Sequence, residues 1–429
     1  MFYYTEDFPL PSFSAEHGQA GVKIFERSFQ SEIMDNPVIY FDNNATTRVA
    51  PEVLEEMLPF FCERYGNPSS IHTFGGSVAD DIEEARRRVA VLFGASFRDR
   101  DGLAAEIIFT SCGTEGDNAA LNAAFSARPG RNKLVTTAVE HPAVLSCAKE
   151  WERRGREVAL IPVDRRGRLD MAALSAAVDE NTAVVSVMWA NNETGTIFPV
   201  KEAAQIAHAA GALFHTDAVQ AAGKVPLEVD DSCIDFLSIS GHKLHAPKGV
   251  GALYVRRGVR FSPFLFGGHQ ERGRRGGTEN VASVIGLGKA CEMAFDRLVS
   301  EAARLAALRD RLEQKICGAI PGVHVNGDLD CRLPNTSSIS FDGIEGESIL
   351  MMLNMHNICA SSGSACTTGS LEPSHVMRAM GIPYTSAHGT IRFSLSGYNT
   401  QEEVDKVAEV LPPVIARLRE ISPYWKEKK

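Results

Sequence analysis

A lysine that follows a short apolar run and sits among small residues is placed for covalent chemistry, and Lys243, in SGHKLHAPKG, is such a lysine. The run 235–239 ahead of it reads as a strand. The turn after it would lift Lys243 off the C-terminal edge of a sheet, where α/β proteins place their ligands. Taken alone, Lys243 reads as an ordinary surface lysine in a turn. The stretch HTDAVQ changes the balance: a second apolar run, 212–215, leads to Asp217, in position to pair with a pyridinium nitrogen. A lysine able to form a Schiff base together with an aspartate partner is what pyridoxal 5'-phosphate requires.

FTSCGTEGDN reads as a strand, a turn and a helix start, so backbone N–H groups, the Thr114 hydroxyl and the helix dipole converge at Gly113 and Thr114. Such a corner suits a phosphate. The plainer alternative makes Thr114 an N-cap with Asp117 in the capping-box role. His141, in VEHPAVL, follows the strand-like run KLVTT and is held by Pro142 over the same edge as Lys243 and Thr114. It can stack on a cofactor ring and move protons, although a histidine at a helix start is also an ordinary cap. Asn192, in ANNETG, ends TAVVSVM on that edge, where its amide can hydrogen-bond a cofactor oxygen or a substrate carboxylate; Asn-Asn is also plain turn chemistry.

Three later stretches add charge and sulfur. GGHQERGRRGGTEN brings Arg272, Arg274 and Arg275 among glycines, which suits anion contacts at an interface or simply a solvated loop. SSGSACTTGS places Cys366 among serines, glycines and threonines that cannot pack as core, so an exposed, mobile thiol and a candidate nucleophile are expected there. His356, Cys359 and Cys366 do not form a CxxC pattern, and no metal is expected. Arg392 sits in the otherwise apolar run TIRFSL, and burying it demands an anion, either a substrate carboxylate or a structural partner.

These residues need a scaffold, and the chain between residues 52 and 300 alternates short β-branched runs with amphipathic helical stretches: EIIFT and a helix from Thr114, KLVTT and one from His141, TAVVSVM and one from Val200. That alternation predicts an α/β fold, a mostly parallel sheet sandwiched by helices. After residue 301 a charged helix over 302–316 leads to NTSSISF, a helix over 346–356, TIRFSL and a last helix from Gln401. This pattern predicts a smaller α+β domain built from 38–51 plus 301–429, beside a large cofactor-binding domain over 52–300. Residues 1–37, with seven aromatics and six acids against two bases, lack the layout of a secretory signal and are expected to be a poorly ordered extension.

With 429 residues and 44% hydrophobic content the chain can bury a large core. A net charge of -10 argues against nucleic acid as a partner, and no apolar run is long enough to suggest a membrane partner. Nine cysteines without a repeated spacing point to reducing cytoplasm.

Taken together, DNNATT, GNPSSIH, FTSCGTE, EHPAVL, NNETGT, HTDAVQ, SGHKLHAPKG, GGHQERGRRGGTEN and SSGSACT occur in an order that closely resembles the cysteine desulfurases, fold type I pyridoxal phosphate enzymes. The resemblance runs from about residue 38 to residue 419, and MWANNETGT, GHKLHAPKG and GGHQERG look more like the nitrogen-fixation branch than the housekeeping one. It implies Lys243 as the Schiff-base lysine, Asp217 on the pyridine nitrogen and Gln220 near the ring hydroxyl. Gly113, Thr114, Ser240 and His242 would hold the phosphate, with Thr278 arriving from the second subunit of a homodimer. His141 would stack on the ring, Asn192 and Arg392 would hold the substrate carboxylate, and Cys366 would accept sulfur from L-cysteine for delivery to an iron–sulfur scaffold protein, with nitrogenase assembly as the expected destination. The same fold also hosts selenocysteine lyases, desulfinases and aminotransferases, which would not need Cys366.

Overall fold

The computed structural model describes residues 37–94, 104–362 and 373–425. The chain from Tyr40 onward forms one compact unit. All but the last residue of the extension expected over 1–37 lies outside the described residues.

Seven strands form the main sheet: β1 (Ile107–Thr110), β2 (Lys133–Thr137), β3 (Glu157–Ile161), β4 (Thr182–Ser186), β5 (Leu213–Asp217), β6 (Phe236–Ser240) and β7 (Gly251–Val255). Their order across the sheet is β1-β7-β6-β5-β4-β2-β3. Pairing is parallel from β6 through β3, and β7 is antiparallel to both of its neighbours. The mostly parallel sheet expected from the alternating pattern is therefore present, with β3 and β7 as strands that pattern did not single out.

Both faces of this sheet are covered, which explains why its central strands read as unbroken apolar runs. Successive side chains point to opposite faces. Ile108, Leu134, Leu213, Phe236 and Leu253 pack with α2 (Gly113–Ala127) and α3 (Pro142–Arg153) in one cluster. Their neighbours Phe109, Val135, Phe214, Leu237 and Tyr254 belong to the opposite cluster, with α1 (Thr73–Leu92), α4 (Val200–Ala209) and α5 (Val281–Ala319). Phe214 and Phe236 are fully buried. Truncating either to alanine should cost about 3–5 kcal/mol.

Helix α5 is a single element of 39 residues, of which the stretch 302–316 expected from the sequence is the C-terminal part. Its first half lies against α1, where a side chain at Gly288 would come within 2.7 Å of Ala85, so glycine allows that approach. A second, three-stranded antiparallel sheet holds β8 (Val323–Asn326), β9 (Thr336–Phe341) and β10 (Thr390–Ser394) in the order β10-β9-β8. The segment at Asp42 runs beside β10: Asn43 donates to the Ser394 carbonyl at 3.2 Å and Ser394 to that of Phe41 at 2.7 Å. That pairing brings Asn44 and Arg392 to the end of the main sheet.

Candidate active site

A cleft of about 390 Å³ opens at the C-terminal ends of the parallel strands, where such sheets place their ligands. Ten of the twelve residues singled out from the sequence line it: Gly113, Thr114, His141, Asn192, Asp217, Gln220, Ser240, His242, Lys243 and Arg392. Thr278 is not among the lining residues and is exposed, and Cys366 lies outside the described residues.

One corner is built for an anion. Helix α2 begins at Gly113, and a side chain there would come within 2.7 Å of the Val219 methyl, so only glycine leaves the corner open. The first amides of a helix have no partner inside it and carry the positive end of its dipole. Cys112, not Thr114, occupies the N-cap position and makes no side-chain cap, while Asp117 lines the cleft instead of closing a capping box. Ser240 ends β6, and the His242 ring nitrogen Nδ1 lies 3.1 Å from the Thr46 hydroxyl. Burial first, then the charges of Lys243 and Lys248, push the His242 imidazole down to about 4, so it is neutral near pH 7.

Lys243 follows in the turn after β6, and its ammonium donates to the carbonyls of Asn44 and Ala45, the latter at 2.6 Å. On the neighbouring strand, Asp217 ends β5 and accepts the Val219 amide at 2.9 Å. Burial, and next the neighbouring charge of Asp117, push the Asp217 carboxyl up to about 7; a cation placed against it would reverse that cost. The Gln220 amide donates to the Asn44 carbonyl at 3.0 Å, but its own buried oxygen has no partner among the described residues. His141 caps α3 by accepting the Ala143 amide at Nδ1, 3.1 Å away, which leaves its proton on Nε2. Its pKa is lowered, by burial above all and by Lys243 and His375, although Asp217 opposes the shift. The cap and cleft readings of His141 thus hold together.

The opposite wall comes from distant sequence. Arg392, on β10, donates to the Asn192 carbonyl at 3.0 Å and pairs with Asp42 at 2.8 Å, while its buried Nε has no partner among the described residues. The structural partner expected as one alternative is therefore present. Glu193, beside Asn192, is buried and accepts the Ser374 hydroxyl at 2.6 Å. Burial raises its pKa against the pull of Ser374, His375 and Arg392. His375 donates to the Glu140 carbonyl at 2.9 Å if its proton is on Nε2. Sequence reasoning missed Asn44, Asp117, Glu193, Ser374, His375 and Arg378, all of which line the cleft. The one available signal was EPSHVM directly after the Cys366 loop, where a serine cap and a histidine precede an apolar helical pattern.

The arginines of GGHQERGRRGG do not form a free anion surface. Arg272 pairs with Glu83 at 3.0 Å, Arg274 donates to the Ala105 carbonyl at 2.9 Å, and Arg275 pairs with Glu115 at 3.0 Å.

Comparison with known proteins agrees with this geometry. The family model described as Aminotransferase class-V matches residues 39–407. The chain is 57% identical to the cysteine desulfurase NifS of Azotobacter vinelandii over 387 residues, 90% of this chain and 95% of that one. It is 58% identical to a cysteine desulfurase of Gluconacetobacter diazotrophicus, covering 90% of this chain and 96% of the relative. Among solved structures, a NifS-like protein superposes with a TM-score of 0.82 at 40% identity, covering 89% of this chain and all of that one. Class-V aminotransferases and cysteine desulfurases are pyridoxal phosphate enzymes. A chain matched along nearly its whole length by both belongs to the class-V aminotransferase family and, within it, to the cysteine desulfurases of the NifS type.

Proposed function

We propose that this cleft binds pyridoxal 5'-phosphate and converts L-cysteine into L-alanine, leaving the sulfur as a persulfide on Cys366 for delivery to an iron–sulfur scaffold protein, with nitrogenase assembly as the destination. The observation that carries the reading is the pairing, in one cleft, of Lys243 with Asp217, a buried carboxylate that lacks a cation. The rest of the cleft fits the cofactor: a helix start at Gly113 where a Cβ would come within 2.7 Å of Val219, and a buried Gln220 oxygen with no partner among the described residues. A solved relative whose description reads "SspA in complex with cysteine", 33% identical with a TM-score of 0.73, supports L-cysteine as the substrate.

Bound there, pyridoxal phosphate supplies an electron sink for the substrate's α-carbon. The chain's own residues do the rest. The amides at Gly113 and Thr114, with Ser240 and His242, hold the phosphate. Asp217 keeps a negative charge beside the ring nitrogen, and Gln220 sits near the ring hydroxyl. His141, neutral and with its proton on Nε2, stacks on the ring and can give or take a proton. Lys243 carries the α-proton on Nζ, close to where its carbonyl partners hold it. Asn192 and the Nε of Arg392 would bind the substrate carboxylate, and the Cys366 thiolate would attack the substrate sulfur, the S–S bond forming as the carbon–sulfur bond breaks and leaves its electron pair on the carbon, which takes up a proton to become the methyl of alanine.

We read the working form as a homodimer in which the exposed Thr278 reaches the phosphate of the second subunit. Exposed Phe266, and Phe264 in a surface groove beside His141 and Thr114, support a covered face there. The small sheet, with residues 38–51 and 301–429, is read as the smaller domain, and the cytoplasm as the location; no helix among the described residues is long and apolar enough to cross a membrane.

The test is a single turnover of the cofactor-loaded protein with L-cysteine and no reductant, followed by alanine assay and peptide mass spectrometry. One sulfur on Cys366 for each alanine is expected. Alanine with Cys366 unmodified would refute the persulfide step.

A further inference from the structure

Strand β1, which leads into the anion corner, is an edge of the main sheet, with β7 as its one neighbour among the described residues. Unpaired strand edges normally need covering, and here side chains do it. Arg272 and Arg274 donate to the Ala105 carbonyl at 3.1 and 2.9 Å. Arg86 and Arg274 donate to that of Ile107 at 3.0 and 3.2 Å. Glu271 accepts the Phe109 amide at 3.0 Å, and Glu115 accepts the Ser111 amide at 2.8 Å. Charged groups from residues 271–275 therefore follow the strand to within two residues of Gly113.

The segment that supplies them is itself held hard. Glu271 and Arg272 have left-handed backbone, φ 49° and 58°, unusual for side chains other than glycine. Arg86 fixes Glu271 in a two-pronged pair at 2.7 and 3.0 Å, with both side chains only 4% exposed.

The last rung bears on the phosphate. Glu115 lies in the first turn of α2, where its charge would oppose an anion at the helix start. It is turned back onto Ser111 and gripped by Arg275 through two bonds, at 3.0 and 3.3 Å. Burial favours its neutral form, but Arg275 and Ser111 outweigh burial and keep it ionised. We propose that Arg275 and Glu115 are positioning residues for the cofactor's phosphate: together they fix the 111–114 turn, and Arg275 cancels the one negative charge in the first turn of the helix that faces it. A guanidinium suits this task because its planar fork holds both carboxylate oxygens at once.

The inference rests on reading Gly113 and Thr114 as the phosphate site, and it separates from that reading by comparing two probes. Cofactor-stripped wild type, R275M, R275K and E115Q/R275M are titrated with pyridoxal 5'-phosphate and with pyridoxal, which lacks the phosphate, by absorbance. R275M should bind pyridoxal 5'-phosphate about tenfold more weakly and pyridoxal within twofold of wild type. R275K should fall between, and E115Q/R275M should regain part of the loss because no uncompensated charge remains. If R275M weakens both probes equally, or neither, or if the double variant is as poor as R275M, the inference fails. A wild type that binds both probes alike would overturn the phosphate site as well.

Discussion

The two walls of the cleft are built differently. The proposed cofactor wall is made of residues at the C-terminal ends of strands of the main sheet: Gly113 and Thr114 after β1, His141 after β2, Asp217 at the end of β5 and Lys243 after β6. Each is placed by a strand buried on both faces, so position along the chain nearly determines position in space. The substrate wall is assembled by long-range pairing instead. Asn44 and Arg392 meet because the Phe41–Asn43 backbone bonds to Ser394, and Ser374 arrives through a buried bond to Glu193. The difference teaches where damage should appear: changes in the first wall should alter capture of the cofactor, and changes in the second should alter handling of the substrate.

Variants can break or sharpen that contrast. Lys243→Ala should have the largest effect, removing the visible absorbance of bound cofactor and lowering turnover by more than about a thousandfold. Asp217→Asn keeps the shape but not the charge, and kcat should fall by roughly a hundredfold or more, since charge set against the reacting group is worth that much. On the other wall, Arg392→Lys keeps the charge but loses the fork that reaches Asn192, Asp42 and the substrate together. Its KM for L-cysteine should rise about ten- to a hundredfold with the cofactor spectrum unchanged; a changed spectrum would mean that the walls are not separable.

The contrast also explains what could be read from the sequence. Lys243 and Asp217 were legible because each closes an apolar run, and strand ends carry ligands in such sheets. Asn44 was not, since it reaches the cleft through pairing with residues some 350 positions away, which no local pattern encodes. Glu193 and Asn192 are neighbours, but the amide looked like chemistry and the carboxylate like a turn; only its burial beside Ser374 reveals it. The arginines at 272, 274 and 275 were read as anion contacts or a solvated loop because nothing in the sequence shows that β1 is an edge strand with unpaired carbonyls to satisfy. The long helix was expected to start at residue 302 because its first half is poor in charge, being buried against α1. Cys366, the residue proposed to take up the sulfur, lies outside the described residues.

Two smaller effects probe the walls through stability. Ser374→Ala would leave the Glu193 carboxyl without its hydroxyl partner and remove the cap on the Val376 amide. About 1–3 kcal/mol should be lost on urea unfolding, with cofactor absorbance retained. In the cofactor-free chain, burial first raises both Asp217 and Asp117 from an ordinary value of 3.8 to about 7. Folded protein therefore holds these protons more tightly than unfolded protein does. Their contribution is fully present below about pH 4 and is lost as pH rises through 7, on the order of 1 kcal/mol or more. Thermal melts of the stripped chain at pH 5 and 8 should show it, and loading the cofactor should shrink the difference by giving Asp217 a cation.

The most direct test of the proposed chemistry is Cys366→Ala, followed in one cuvette for cofactor absorbance and for alanine released from L-cysteine. The account predicts wild-type absorbance, a spectral response to L-cysteine, and no alanine above background. Alanine at the wild-type rate would contradict it, because the carbon–sulfur bond would then break without the thiol to which the sulfur is assigned.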